Sequence, residues 1–159
     1  MAIHIRRAAE QDYEIYCDLF FETNELHRLA LPDIFQQPGE RIIEPGYFLN
    51  LLEDERVAIF FAESEGQAAG FVYILIREAP AYPLLVPRRY AVVDTLAVRP
   101  AFQRTGVGRV LMHKAEEWAA SQGICVVELN VYEFNQGAQA FYNRLGFATY
   151  SRKMSKKLA

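Results

Sequence analysis

The stretch Asp94-Thr95-Leu96-Ala97-Val98-Arg99-Pro100-Ala101-Phe102-Gln103-Arg104-Thr105-Gly106-Val107-Gly108-Arg109 decides the fold. Its first part completes an apolar, β-branched strand running from Tyr90 to Val98, and Arg99-Pro100 stops that strand because proline has no amide to donate. Its second part carries Gln103, Arg104, Gly106 and Gly108 into the first turn of a helix over 106–122. There Val107, Val110, Leu111, Ala115, Trp118 and Ala119 recur on one stripe. The opening amides of such a helix have no acceptor within it and point outward. With the helix dipole they form an anion site, which glycines let a phosphate approach closely. Arg104 and Arg109 add positive charge. A dinucleotide fingerprint is excluded, since Leu111 stands where its third glycine belongs. No Gly-Lys-Ser/Thr follows, which excludes an ATP-binding P-loop. Taken alone, Gly106-x-Gly108 also fits nothing more than a tight helix start.

Downstream, Gly123 suits the residue just past the helix end, and a strand reads from Cys125 to Tyr132. Asn135 opens a short helix whose apolar face holds Ala138, Phe141, Tyr142 and Leu145; Gly146 ends it, and Phe147 to Ser155 reads as a last strand. Upstream, Ile3 and Ile5 alternate in a short strand, and apolar residues at helical spacing predict a helix from about Ala9 to Leu31. Pro32, Pro38 and Pro45 with Gly39 and Gly46 punctuate a loop that leads into a short helix around Tyr47 to Leu52. Strands over Val57 to Glu63 and Ala68 to Arg77 flank Ser64-Glu65-Gly66-Gln67 as a hairpin, and Pro80, Pro83 and Pro87 mark a second loop. The order β, α, α, β, β, β, α, β, α, β contains no repeat. It predicts one α/β domain over residues 1–159, with a mixed, mostly antiparallel central sheet, one parallel strand pair and helices on both faces.

The 159 residues are 52% hydrophobic and 23% charged, enough apolar side chain for a sizeable core. A net charge of −3 argues against bulk nucleic-acid binding. No apolar run approaches the roughly 18 residues of a spanning helix, and no signal-type core opens the chain, so a cytoplasmic protein with no membrane partner is expected. Cys17 and Cys125 lie far apart; His4, His27 and His113 show no ligand spacing and read as surface or loop residues. No metal site is expected, and both cysteines suit small buried positions better than nucleophilic catalysis.

Gln103-x-x-Gly106-x-Gly108 after Leu96-Ala-Val-Arg-Pro100 resembles the pyrophosphate-binding signature of the GNAT superfamily of N-acetyltransferases. Asn130-Val-Tyr-Glu-Phe-Asn135-x-x-Ala138-x-x-Phe141-Tyr142-x-x-Leu145-Gly146-Phe147 is similar to that family's second motif, in the right order and separation. The resemblance implies a GNAT-like, acyl-CoA N-acyltransferase fold. A bulge then splays the parallel pair into a V-shaped gap for acetyl-CoA (acetyl-coenzyme A). It implies that Leu96, Ala97 and Val98 bond the pantetheine arm through their backbones. It also implies that Gln103, Arg104, Thr105, Gly106, Val107, Gly108 and Arg109 hold the pyrophosphate, and that Asn135 contacts the cofactor. Asn135 serves equally as a plain helix cap.

By the same resemblance, Tyr142 protonates the departing thiolate and the Leu96 amide stabilises the oxyanion. On spacing alone, Tyr142 equally belongs to a packed stripe. Asp94, of the same strand parity as Leu96 and Val98, is the candidate base facing the cleft; a structural hydrogen bond or ion pair is its alternative role. Glu128 is a second carboxylate, and Asn130 replaces the glutamate found in members that modify protein N-termini. The expected reaction moves an acetyl group to a primary amine of a small molecule or peptide within a ternary complex. The acceptor pocket is expected from the first helix, the loop His27 to Gly46 with Glu40 and Glu44, and Ala79 to Arg89. A non-catalytic acyl-coenzyme A sensing module and an interaction domain with a degenerate cleft are the alternatives, and a homodimer through the C-terminal strands is implied by analogy.

Overall fold

The computed structural model describes residues 2–38 and 43–158. Gly39 and Glu40, part of the first expected loop, lie outside these residues. The elements are β1 (Ile3–Arg7), α1 (Tyr13–Ala30), α2 (Pro45–Glu53), β2 (Val57–Ser64), β3 (Gln67–Glu78), β4 (Arg89–Val98), α3 (Val107–Ser121), β5 (Val127–Leu129) and α4 (Gln136–Arg144). Short 3-10 turns at Glu10–Asp12 and Pro100–Phe102 lead into α1 and into the loop before α3. The sheet runs β1-β2-β3-β4-β5 in chain order, with β1 to β4 antiparallel neighbours and β5 parallel to β4.

Helices cover both faces, which is why β2 and β3 are apolar nearly throughout instead of alternating. On one face α3 presses Leu111, Met112 and Ala115 onto Val72 and Ile74. On the other, Tyr16 and Leu19 of α1 and Phe48 of α2 meet Phe61 and Phe71. Phe48, Phe61 and Phe71 are fully buried, each contributing about 1.5–3 kcal/mol by removal from water. The edge strand β1 is tied down by charge. Arg6 donates to both oxygens of buried Asp12 at 2.7 and 2.8 Å and to Glu63 of β2 at 2.6 Å.

Three expectations are corrected. The strand expected over Cys125 to Tyr132 is only Val127–Leu129, because its continuation turns away from β4. No strand forms over Phe147 to Ser155; the segment is irregular, with Tyr150 and Met154 almost fully exposed and Arg152 ion-paired to Glu133 at 3.6 Å. Phe147 at its start packs against the core under α3, while the residues after it stay in water. Cys125 is exposed and Cys17 only half-buried, since the first lies in the turn before β5 and the second on the flank of α1.

Candidate active site

β4 and β5 are paired only at Ala91–Val127, Val92–Glu128 and Val93–Leu129. One residue later β4 bulges: Val93 lies opposite Ile74 and Thr95 opposite Tyr73, which leaves Asp94 without a partner on β3. An extra residue inverts the sidedness of everything after it. Before the bulge, the Ala91 amide donates to the Val126 carbonyl on the β5 side at 2.9 Å. Beyond it, the Arg99 amide donates to the Ala69 carbonyl on the β3 side, also at 2.9 Å. Backbone groups alternate along a strand, so the amides and carbonyls of Leu96 and Val98 point away from β3, into the side that β5 has left. The Gln103 side-chain amide donates to the Val98 carbonyl there at 3.2 Å. The outcome is a wedge between residues 95–98 and 130–132, one wall of which carries strand groups with no neighbouring strand.

The bulge also corrects the expected orientation of Asp94. Ala91 and Val93 sit in the core under α3, and Leu96 and Val98 pack against that same core, whereas Ala97 belongs to the core under α1 and α2. Asp94 and Thr95 therefore share the α1/α2 side, opposite Leu96 and Val98. The Asp94 carboxylate is exposed and accepts a hydrogen bond from Thr95 Oγ1 at 3.0 Å. Burial pushes the phenols of Tyr16 and Tyr73 up, and the nearby Asp94 charge pushes in the same direction. Glu128 is ion-paired to Arg88 at 2.8 Å, away from the wedge, and Asn130 is exposed.

Past β4 the chain winds tightly. Arg104 and Gly106 adopt φ of 63° and 98°, and Thr105 Oγ1 donates to the Phe102 carbonyl at 2.6 Å. The left-handed Gly106 is the N-cap of α3, a conformation that glycine adopts without the Cβ penalty. The Val110 amide bonds to the Gly106 carbonyl at 3.1 Å, so the amides of Val107, Gly108 and Arg109 stand outside the helical ladder. The Val107 side chain is fully buried, so only its amide is available; Gln103, Arg104, Thr105 and Arg109 are exposed. A Cβ at Gly108 would meet the Phe141 ring at 3.3 Å, which places α4 directly against the first turn of α3.

Asn135 caps α4, its Oδ1 accepting from the Ala138 amide at 3.1 Å. Tyr142 is half-buried on α4 between Phe141 and Phe147, with ring centroids 5.2 and 5.8 Å away, and it packs on the same core as Leu96 and Val98. Burial pushes its phenol up to about 12, so the hydroxyl keeps its proton through the neutral range.

Sequence reasoning missed two features. Gly70 on β3 lies so close to β4 that a Cβ there would overlap the Ala97 carbonyl oxygen; no turn or motif marks it. His27, expected on the surface or in a loop, lies on α1 within a ring cluster with Phe35, Tyr132 and Phe134, at centroid distances of 5.3, 5.4 and 5.7 Å. Its contacts come from distant parts of the chain, so local spacing carried no sign of them.

Residues 13–147 match the family model described as the acetyltransferase (GNAT) family. The chain belongs to the GNAT acetyltransferase family. An uncharacterised N-acetyltransferase of Methanocaldococcus jannaschii is 35% identical over 101 residues, 64% of this chain and 43% of that protein. Streptothricin acetyltransferase A of Bacillus subtilis is 31% identical over 110 residues, 68% of this chain and 62% of that enzyme. The GNAT chain thus aligns with less than two thirds of either relative's length. The crystal structure of a mutant Bacillus halodurans protein superposes with a TM-score of 0.91 at 26% identity, covering 98% of this chain and 99% of that one. The sheet with its parallel pair, and helices on both faces, is accordingly the GNAT fold.

Proposed function

We propose that the protein transfers the acetyl group of acetyl-CoA to the primary amine of a small molecule or peptide, by direct attack within a ternary complex. The observation that carries this reading is the bulge at Asp94, which turns the Leu96 and Val98 backbone groups into the wedge where β5 has diverged. A pantetheine arm has amide groups that such a strand edge can pair, and a pyrophosphate suits the free amides at the start of α3 beside Arg104 and Arg109. Leu96 and Val98 would hold the arm, while the Ala97 backbone groups, expected to join them, face β3 instead; Gln103 to Arg109 would hold the pyrophosphate through backbone amides and the exposed side chains. Asn135 fits a place beside them while it caps α4. Bound there, acetyl-CoA supplies an acetyl thioester whose sulfur can leave.

The chain's own groups then have separable tasks. Asp94 accepts a proton from the arriving ammonium and passes it to solvent, leaving the nitrogen lone pair free to attack. The Leu96 amide donates to the carbonyl oxygen as it gains negative charge. As the carbon–nitrogen bond forms and the carbon–sulfur bond breaks, the Tyr142 hydroxyl gives its proton to the sulfur and regains one from solvent. Holding both reactants in register supplies much of the rate.

Thiol release with an amine panel tests this reading. Tyr142→Phe is expected to lower kcat about 100-fold with KM little changed, because the proton is needed only as the sulfur departs. Binding of acetyl-CoA without thiol release for any amine would point instead to a sensing module. We also propose a homodimer, supported by the free outer edge of β5 and the exposed Tyr150 and Met154; sedimentation tests it.

A further inference from the structure

We propose, resting on the acetyltransferase reading, that the acceptor is a singly charged amine carried on an aromatic ring. The ring is received by the cluster of His27, Phe35, Tyr132 and Phe134. Glu22 of α1 lies 3.4 Å from Arg99, the residue just after β4, so the middle of α1 stands at the wide end of the wedge. His27 lies five residues farther along, about 7.5 Å at the helical rise. Tyr132 and Phe134 follow the diverging β5 arm directly. Contacts of His27 and Phe35 with Tyr132, at 5.4 and 5.5 Å, therefore cross the mouth of the wedge, on the side that Asp94 faces.

The rings are well fixed. The His27 Nδ1–H donates to the Thr23 carbonyl at 3.0 Å, and Tyr132 lies stacked with Phe134 at 6.0 Å. They touch one another closely enough that no guest ring fits between them. Tyr132 nevertheless remains 41% exposed, and Ile34 beside Phe35 is 65% exposed. A flat apolar face thus lies open next to the wedge, suited to offset stacking of a further ring.

Charge selects against the other acceptor class. A polycation needs unneutralised carboxylates, but four of the described carboxylates near the ring cluster are engaged. Glu22 pairs with Arg99, Glu25 with Arg28 at 2.8 Å, Asp33 with Lys157 at 2.7 Å and Glu133 with Arg152 at 3.6 Å. Asp94 is left to meet a single ammonium while the ring lies on Tyr132.

The test measures thiol release from acetyl-CoA with phenethylamine, butylamine and spermidine. Wild-type kcat/KM for phenethylamine is expected to exceed the other two at least tenfold. Tyr132→Ala should collapse that ratio, mainly through the KM for phenethylamine, while Tyr132→Phe, which keeps the ring, preserves it. Phe35→Ala should lower the ratio in the same sense. Equal or better turnover of butylamine or spermidine, or a ratio unmoved by Tyr132→Ala, would overturn the ring site alone. Absence of thiol release with every amine would overturn the acetyltransferase reading and this inference with it.

Discussion

Asp12 shows how a single carboxylate couples the sheet edge to the first helix. The Arg6 guanidinium holds its carboxyl below the ordinary carboxylate range, against burial that pushes the other way, and the Ala9 amide assists at 2.8 Å. A depressed folded-state value means the stabilisation is complete above the unfolded value of about 3.9 and is lost as pH falls through the folded one. Thermal melts should therefore show Tm falling below about pH 4. Asp12→Asn should cost about 1–2 kcal/mol near neutrality and show a shallower acid limb, because the half-buried Arg6 then keeps Glu63 alone as its charge partner. An acid limb as steep as that of the wild type would refute this assignment. At the same scale the sequence placed Asn135 as the cap of α4 and Tyr142 on its packed stripe, both within a dense local motif. It misdirected Asp94, because Val92-Val93-Asp94-Thr95-Leu96 has no glycine or proline to mark the extra residue. Parity counting across an unseen bulge puts a side chain on the wrong face.

Elements whose signals are local were read well: the two-sided strands β2 and β3, the stripe of α3 and the cap of α4. Those whose stability depends on a distant neighbour were not. β5 was overestimated because Asn130-Val131-Tyr132 keeps strand-like composition after pairing has ended, and the C-terminal segment has strand-like residues yet pairs with no strand of the sheet. The close approach of β3 to β4 at Gly70 was equally invisible. Since a Cβ would overlap the Ala97 carbonyl, Gly70→Ala should cost about 2 kcal/mol by forcing the strands apart. It should also weaken acetyl-CoA binding, because Ala97 lies between the two residues whose backbones line the wedge. Differential scanning calorimetry with a cofactor titration checks both. An unchanged Tm would mean that the two strands tolerate the added carbon without shifting.

At the scale of the whole molecule, two separate cores clamp the sheet from either face and leave one defect between them, the wedge beyond Val93 and Leu129. The Gly106 turn, the strand edge and Tyr142 converge on that defect from α3, β4 and α4. The molecule needs its rigid sheet to hold them in register. The family and the layered α/β architecture were legible in the sequence. The cluster of His27, Phe35, Tyr132 and Phe134 was not, since its rings come from α1, the segment after it and the β5–α4 connection, which only tertiary structure brings together.

The most direct test is calorimetric titration of acetyl-CoA into the wild type and into the Arg104→Glu/Arg109→Glu double variant. Both positions are exposed, so the fold is spared, whereas a side chain at Gly106 would also strain a backbone at φ 98°. Micromolar binding, roughly 8 kcal/mol, is expected for the wild type, weakened at least tenfold in the double variant. Absence of binding to the wild type, or equal binding to both proteins, would contradict it.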